Sequence, residues 1–245
     1  MSKVGEFDCK VKAVLNSLGK LALRGLRRNN LSFTKMQMAE VCQVDEIETQ
    51  YGFGLLKILH VFRMHGTQML FQFLHLTVQE YLAAYSITQM RPCEISECLS
   101  SILSEERFDM VLKFFCGMDR FQSSPSRNVF SKCLATPMIL ECIFEGQWKD
   151  RCYEIAQQTG SVISASRTVQ PYRSLVYGYV MTKSRMQWTL KRYCCEISER
   201  EVKSLCRYLL PAQRTLHCLH IEKAIIAPKA VPYLKQIIQS QVSLF

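Results

Sequence analysis

Apolar residues at Val11, Val14, Leu15, Leu18, Leu21, Ala22 and Leu26 recur at helical spacing and predict one amphipathic helix over 11–28. Lys20, Arg24, Arg27 and Arg28 crowd its end, where they suit the helix dipole, and Asn29-Asn30 can stop it. Leu31-Ser32-Phe33 reads as a short strand, and Thr34 as the N-cap of a second helix ending near Val41. Leu55–Phe62 is a third apolar segment. Arg63–Gln68 reads as a turn between Leu59–Phe62 and Met69–Leu74, where Met69, Phe71 and Phe73 alternate with Leu70, Gln72 and Leu74. The period then changes from two to helical. The next helix is expected from Thr77 to about Met90, with Val78, Tyr81, Leu82 and Tyr85 on its core side, and Pro92 ends it.

Residues 94–160 read as helical throughout. Met110–Gly117 is apolar nearly all round, so it should be deeply buried, with Gly117 as a C-cap. Ser123–Ser126 is a loop, and Pro137 opens another helix at an allowed first-turn position. The polar stretch 157–170 reads as a boundary. Beyond it, Leu190, Ile197, Val202, Leu205 and Leu209 recur 29 residues later as Leu219, Ile226, Val231, Leu234 and Ile238. A strand followed by a helix at that period is the mark of leucine-rich repeats. The strands are expected near 190–193 and 218–221, and the helices near 199–210 and 229–239, with Ser198 and Pro228 at the helix starts. Arg192 breaks the register, standing where Ile221 stands in the next unit.

At the strand-to-helix change lies Phe73-Leu74-His75-Leu76-Thr77-Val78-Gln79-Glu80-Tyr81-Leu82-Ala83-Ala84. The pattern Phe-x-His-x-Thr-x-Gln-Glu-Tyr-Leu-Ala-Ala resembles the winged-helix motif of the NACHT-type NOD-like receptors. Leu112–Gly117 and Cys142–Gln147 are similar to the Phe-Leu-Cys-Gly and Cys-Leu-Tyr-Glu-Ala-Gln marks of that family's second helical domain. Leu175–Val180 with Trp188-Thr189-Leu190 resembles the lead-in to its repeats. The resemblance implies a mostly α chain: a winged helix over 8–91, a second helical domain over 92–165, and a helical lead-in with the first two units of an α/β leucine-rich-repeat solenoid over 170–245. It implies that His75 contacts the β-phosphate of ADP supplied by another domain. ADP or ATP is then the cofactor of the intact receptor, with none held by this chain. The partners it implies are a NACHT nucleotide-binding domain, a protein or microbial ligand at the repeats, and further copies in a receptor oligomer. Taken alone, a lone histidine at a helix start is more often a buried core residue. Glu80 reads as support for the helix or as the partner of a base, and Tyr81, Leu82 and Tyr85 as core.

Composition narrows the remaining classes. Apolar content is 48% with 10 glycines and 7 prolines, ordinary for a helical globular chain. No run reaches the ~18 uncharged apolar residues of a membrane span. Met1–Glu6 holds no apolar signal core, so a cytoplasmic protein is expected. The 12 cysteines are scattered without a Cys-x-x-Cys pair and read as reduced, mostly buried thiols. Net charge is +10, and residues 167–245 hold 13 basic against 4 acidic side chains. Such a basic face can attract nucleic acid or meet an acidic neighbour. No aromatic interleaving accompanies it, and a solvated surface is the simpler reading.

Enzymatic motifs are missing. The phosphate loop Gly-x-x-x-x-Gly-Lys-Ser/Thr is absent: Gly19-Lys20 supplies its last pair, but Val14 and Leu21 occupy the flanking positions, mid-helix. No paired-acid strand could hold Mg²⁺. No His-Glu-x-x-His or Gly-x-Ser-x-Gly occurs. His217 and His220 flank Cys218 on an expected strand whose alternation sends the two rings to opposite faces, so no metal site is expected. No thiol has a recognisable catalytic partner. The chain is expected to be non-catalytic, the back half of a receptor, whether a truncated gene product, a fragment or a degenerate paralogue. A winged-helix DNA binder is the alternative, opposed by a second helix with only Lys35 as a base and Glu40 against it.

Overall fold

The computed structural model describes residues 3–40, 54–63, 66–118, 129–166, 168–212 and 215–241. The expected helix end at Val41, the hairpin turn at Met64-His65 and the loop Ser123–Ser126 lie outside these residues. Helices predominate among those described, and the chain divides into two compact units, Met1–Val129 and Phe130–Phe245. The division falls inside the 92–165 stretch.

In the first unit, α1 (Lys3–Arg27) leads through β1 (Ser32–Thr34) into the short α2 (Lys35–Ala39). Thr34 starts α2 as expected: its hydroxyl accepts from the Gln37 N–H at 3.2 Å, while the Gln37 side chain accepts from the Thr34 N–H at 2.9 Å. The hairpin β2 (Leu56–Arg63) and β3 (Gly66–Phe73) pairs antiparallel, and β1 adds on the other side of β3. All of Leu56–Phe62, expected as a third apolar segment, is strand. Opposed residues share a face, so Phe33, Leu56, Phe71 and Phe73 form one buried apolar layer. Then come α3 (Leu76–Thr88), α4 (Pro92–Ile102), a 3₁₀ turn and α5 (Asp109–Met118). Gly117 lies inside α5 rather than capping it, because the helix runs one residue further.

α3 packs along α1 and α5. Its buried side is Gln79, Leu82, Ala83, Ser86 and Ile87, spaced i, i+3, i+4, i+7, i+8. The expected core stripe through Tyr81 is therefore rotated: Tyr81 is exposed, its ring edge-on to Phe114 at 5.5 Å. Small residues explain the rotation. A Cβ on Gly19 of α1 would lie 2.5 Å from the Leu82 carbonyl and 2.7 Å from the Ser86 Cβ, so the two backbones approach as closely as glycine permits.

The second unit holds α6 (Pro137–Glu145), α7 (Lys149–Thr159), β4 (Val162–Ala165) and α8 (Pro171–Lys183). Thr136 caps α6, with Pro137 in the first turn. β4 lies within the polar stretch that sequence alone reads as a boundary. It pairs parallel with β5 (Trp188–Tyr193), which pairs parallel with β7 (Leu216–Glu222). The short strands β6 (Glu196–Ile197) and β8 (Ile225–Ile226) form a second parallel ladder. The partners Leu190↔Leu219 and Ile197↔Ile226 stand 29 residues apart, the offset read from the sequence. The helices α9 (Glu199–Leu209) and α10 (Val231–Gln241) follow their strands, with a 3₁₀ turn at Pro228–Ala230 before α10.

Gln241 ties the two units of the ladder together. Its side-chain oxygen accepts from the Thr215 and Leu216 N–H groups at 2.8 and 3.1 Å, and its amide donates to the Leu209 carbonyl at 2.6 Å. Phe144 meets Tyr172, Tyr179 and Tyr208 edge-on at 5.4–6.4 Å, joining α6, α8 and α9.

Candidate functional site

His75 sits between β3 and α3 at the N-cap of the helix, with extended backbone at φ −139° and ψ 149°. Two contacts fix the position. The Leu74 N–H donates to the Leu55 carbonyl at 3.1 Å, holding the end of β3 to the start of β2. One turn into α3, the buried Gln79 amide donates to the Ala22 and Asn30 carbonyls at 3.4 and 3.3 Å, locking the helix onto the end of α1. The two carbonyls lie in the last turns of α1 and just beyond its end, so one amide bridges the helix and the chain that leaves it.

The ring of His75 is exposed, so the commoner fate of a lone histidine does not apply. Its carbonyl accepts from Val78 and Gln79, but its side chain caps nothing. The first N–H groups of α3 thus have no side-chain acceptor, and the positive end of the helix dipole lies beside an imidazole. That combination suits an anion: a ring N–H and helix N–H groups are donors of the kind that hold phosphate oxygens. Leu74 and Leu76 flank the ring and are half-exposed.

Glu80 is buried, and loss of hydration pushes its carboxyl above the usual range, while the Lys113 ammonium pulls it back. It faces α5 rather than the His75 side, in keeping with support for the helix through a base. A cleft of about 850 Å³ also opens in this unit, lined by Asn16, Lys20 and Arg27 of α1 and by Glu94, Glu97 and Ser101 of α4. His75 is not among its lining residues.

His217 and His220 both stand exposed on β7. An extra residue on β7 opposite Trp188-Thr189 breaks the simple alternation expected of them. His220 lies 3.5 Å from Glu222 and against the Tyr193 ring. Among the described residues no group of three His, Cys, Asp or Glu could hold a metal ion. Cys98, Cys116, Cys142, Cys152, Cys195 and Cys206 are buried, while Cys93, Cys194 and Cys218 are exposed. Burial pushes the Cys152 thiol up to about 12, which keeps it protonated and unreactive. No helix among the described residues is long and apolar enough to cross a membrane.

Residues 13–73 match the family model of the NOD2 winged helix domain. The match runs from α1 through the hairpin and stops two residues before His75. This segment is similar to the winged helix of a NOD-like receptor. The match covers 61 of 245 residues (13 to 73), and no curated protein matches the chain.

Proposed function

We propose that this chain is the regulatory and sensing part of a NOD-like receptor, without catalytic activity of its own and working in the cytoplasm. The match of residues 13–73 to the NOD2 winged helix domain carries the proposal. The His75 junction and the 29-residue strand–helix ladder add to it. A NACHT domain brings ADP to the winged helix. His75 donates a ring N–H to a phosphate oxygen, and the uncapped start of α3 supplies further donors. The ladder serves as the first leucine-rich repeats and binds protein. The second helical domain passes their position to the winged helix.

A charge-assisted hydrogen bond of this kind contributes about 1.5–3 kcal/mol. Held in one state and lost in the other, it biases a closed arrangement by about 10- to 150-fold. That suffices for a switch in which nucleotide exchange releases one domain from another.

The test is the rate at which fluorescent ADP leaves a NOD-like receptor NACHT domain mixed with this chain. The chain should slow release, and His75→Ala should restore the fast rate. An unchanged rate with His75→Ala, in a variant that melts like the parent, would sink the clamp. Binding of DNA has less support: Lys35 is the only base on α2, and Glu40 at its end is paired with Arg24 at 2.5 Å.

A further inference from the structure

A pit of about 110 Å³ opens in the second unit where α6, α7, β4, α8 and β5 meet. Its floor is the buried set Leu140, Ile155, Ile163, Tyr177 and Trp188. Its mouth is formed by the half-buried Ala135, Thr159 and Val162 and the exposed Ser164. No lining residue carries a charge.

The polar atoms around the pit are mostly spent. The Trp188 Nε1–H donates to Ser184 Oγ at 2.7 Å, and the Thr159 hydroxyl donates to the Ile155 carbonyl at 2.9 Å. Burial pushes the Tyr177 hydroxyl up and keeps it neutral. No lining residue leaves a buried side-chain nitrogen or oxygen without a partner. A water held inside a protein needs two to four polar partners, and an apolar floor of this kind does not supply them. The walls are also pinned apart. Gly160 and Ser161, at φ +61° and +57°, turn the chain from α7 into β4 within two residues. Parallel pairing holds β4 to β5, and Ser184 holds the Trp188 indole in place.

Apolar cavities of roughly 150 Å³ admit benzene. A pit of about 110 Å³ with an open mouth therefore takes one ring with its edge at the rim. We infer that this pit binds a small uncharged aromatic molecule, a single ring with at most one polar substituent. The ring lies against Tyr177 and Trp188, which favour edge-to-face contact, and the substituent meets the Ser164 hydroxyl at the mouth. A fused pair of rings is too large, and a carboxylate would be enclosed without a counter-charge. Occupancy fills the space shared by α6, α7 and β5 and so stabilises the second unit. The inference rests on residues 135–188 and holds whether or not His75 clamps a nucleotide.

The probes are phenol, 2-naphthol and benzoate, added to the full chain in calorimetric melts. Phenol at about tenfold above its dissociation constant should raise the melting temperature by about 3–6 °C. Neither 2-naphthol nor benzoate should raise it. Ala135→Leu fills the pit from its half-buried mouth and should remove the phenol shift while melting no lower than the parent. Val162→Phe, a plug from β4, should remove the shift as well. No shift at millimolar phenol, an undiminished shift in the two plugged variants, or an equal shift with 2-naphthol overturns the inference.

Discussion

Arg192 and Glu201 form an ion pair inside the second unit, each side chain 3% exposed, with Nη2 3.0 Å from Oε1. The pair is close but imperfect. Nη2 is off line for a hydrogen bond, and Nε of Arg192 and Oε2 of Glu201 have no partner. One sound bond runs from Nη1 to the Ala165 carbonyl at 3.3 Å. Burial pushes the Glu201 carboxyl up, and Arg192 pulls it down. The next unit supplies a natural control, since the counterparts 29 residues on are Ile221 and the fully buried Ala230. Arg192→Ala leaves a buried carboxylate unpaired and should cost about 3–5 kcal/mol at pH 7. Installing the apolar pair, Arg192→Ile with Glu201→Ala, should lie within about 1 kcal/mol of the parent or exceed it.

The pH dependence follows from the raised carboxyl. Its folded value exceeds the unfolded one, so its stabilising share is complete below about pH 4.5 and is lost as pH rises through the folded value. Without Arg192 that value rises further. The penalty of Arg192→Ala should therefore be small near pH 4 and grow towards pH 7. Urea unfolding followed by the buried Trp188 measures it. A double variant as unstable as Arg192→Ala, or a penalty that does not change with pH, would refute this account.

Three further outcomes follow from the packing. Gly19→Ala should push α1 off α3 and lower stability by about 1–3 kcal/mol in a thermal melt, because its Cβ has no room beside the Leu82 carbonyl. Glu80→Gln should stabilise at pH 7 and lose its advantage near pH 4. The Glu80 carboxyl is raised, so its contribution is complete below about pH 4.5 and falls as pH rises; paired melts at the two pH values read this directly. Lys223→Gly should stabilise the fold by up to about 1 kcal/mol, read as a higher melting temperature, since Lys223 holds φ at +51°, where side chains are strained.

What could be read from sequence was whatever a local period or a cap fixes. Thr34, Ser198 and Pro137 mark helix starts by chemistry that acts within three residues, and the structure has all three at or beside a start. The offset between Leu190 and Leu219 is a spacing, and it survives as the strand register. Tyr81 shows where the reading stops. Its side of α3 is set by Gly19 and Gly25 on α1, more than fifty residues away, and no period within α3 reports them. β4 is a four-residue strand in a polar stretch, stabilised by a neighbour that comes later in the chain. The placing of His75 likewise depends on Gln79 anchoring α3 to α1, a contact 57 residues apart in the chain. The partner that Arg192 needs, Glu201, is nine positions away across a turn, and periodicity marks Arg192 only as a misfit.

The paired ladders carry a consequence for how this region can change in length. A slip of β7 by one residue against β5 would turn the strand over and send its inward side chains to solvent. Removal of a complete strand–turn–helix module would instead leave both cut surfaces able to meet, since they are built on one plan. Tolerated insertions and deletions here should therefore come in whole modules.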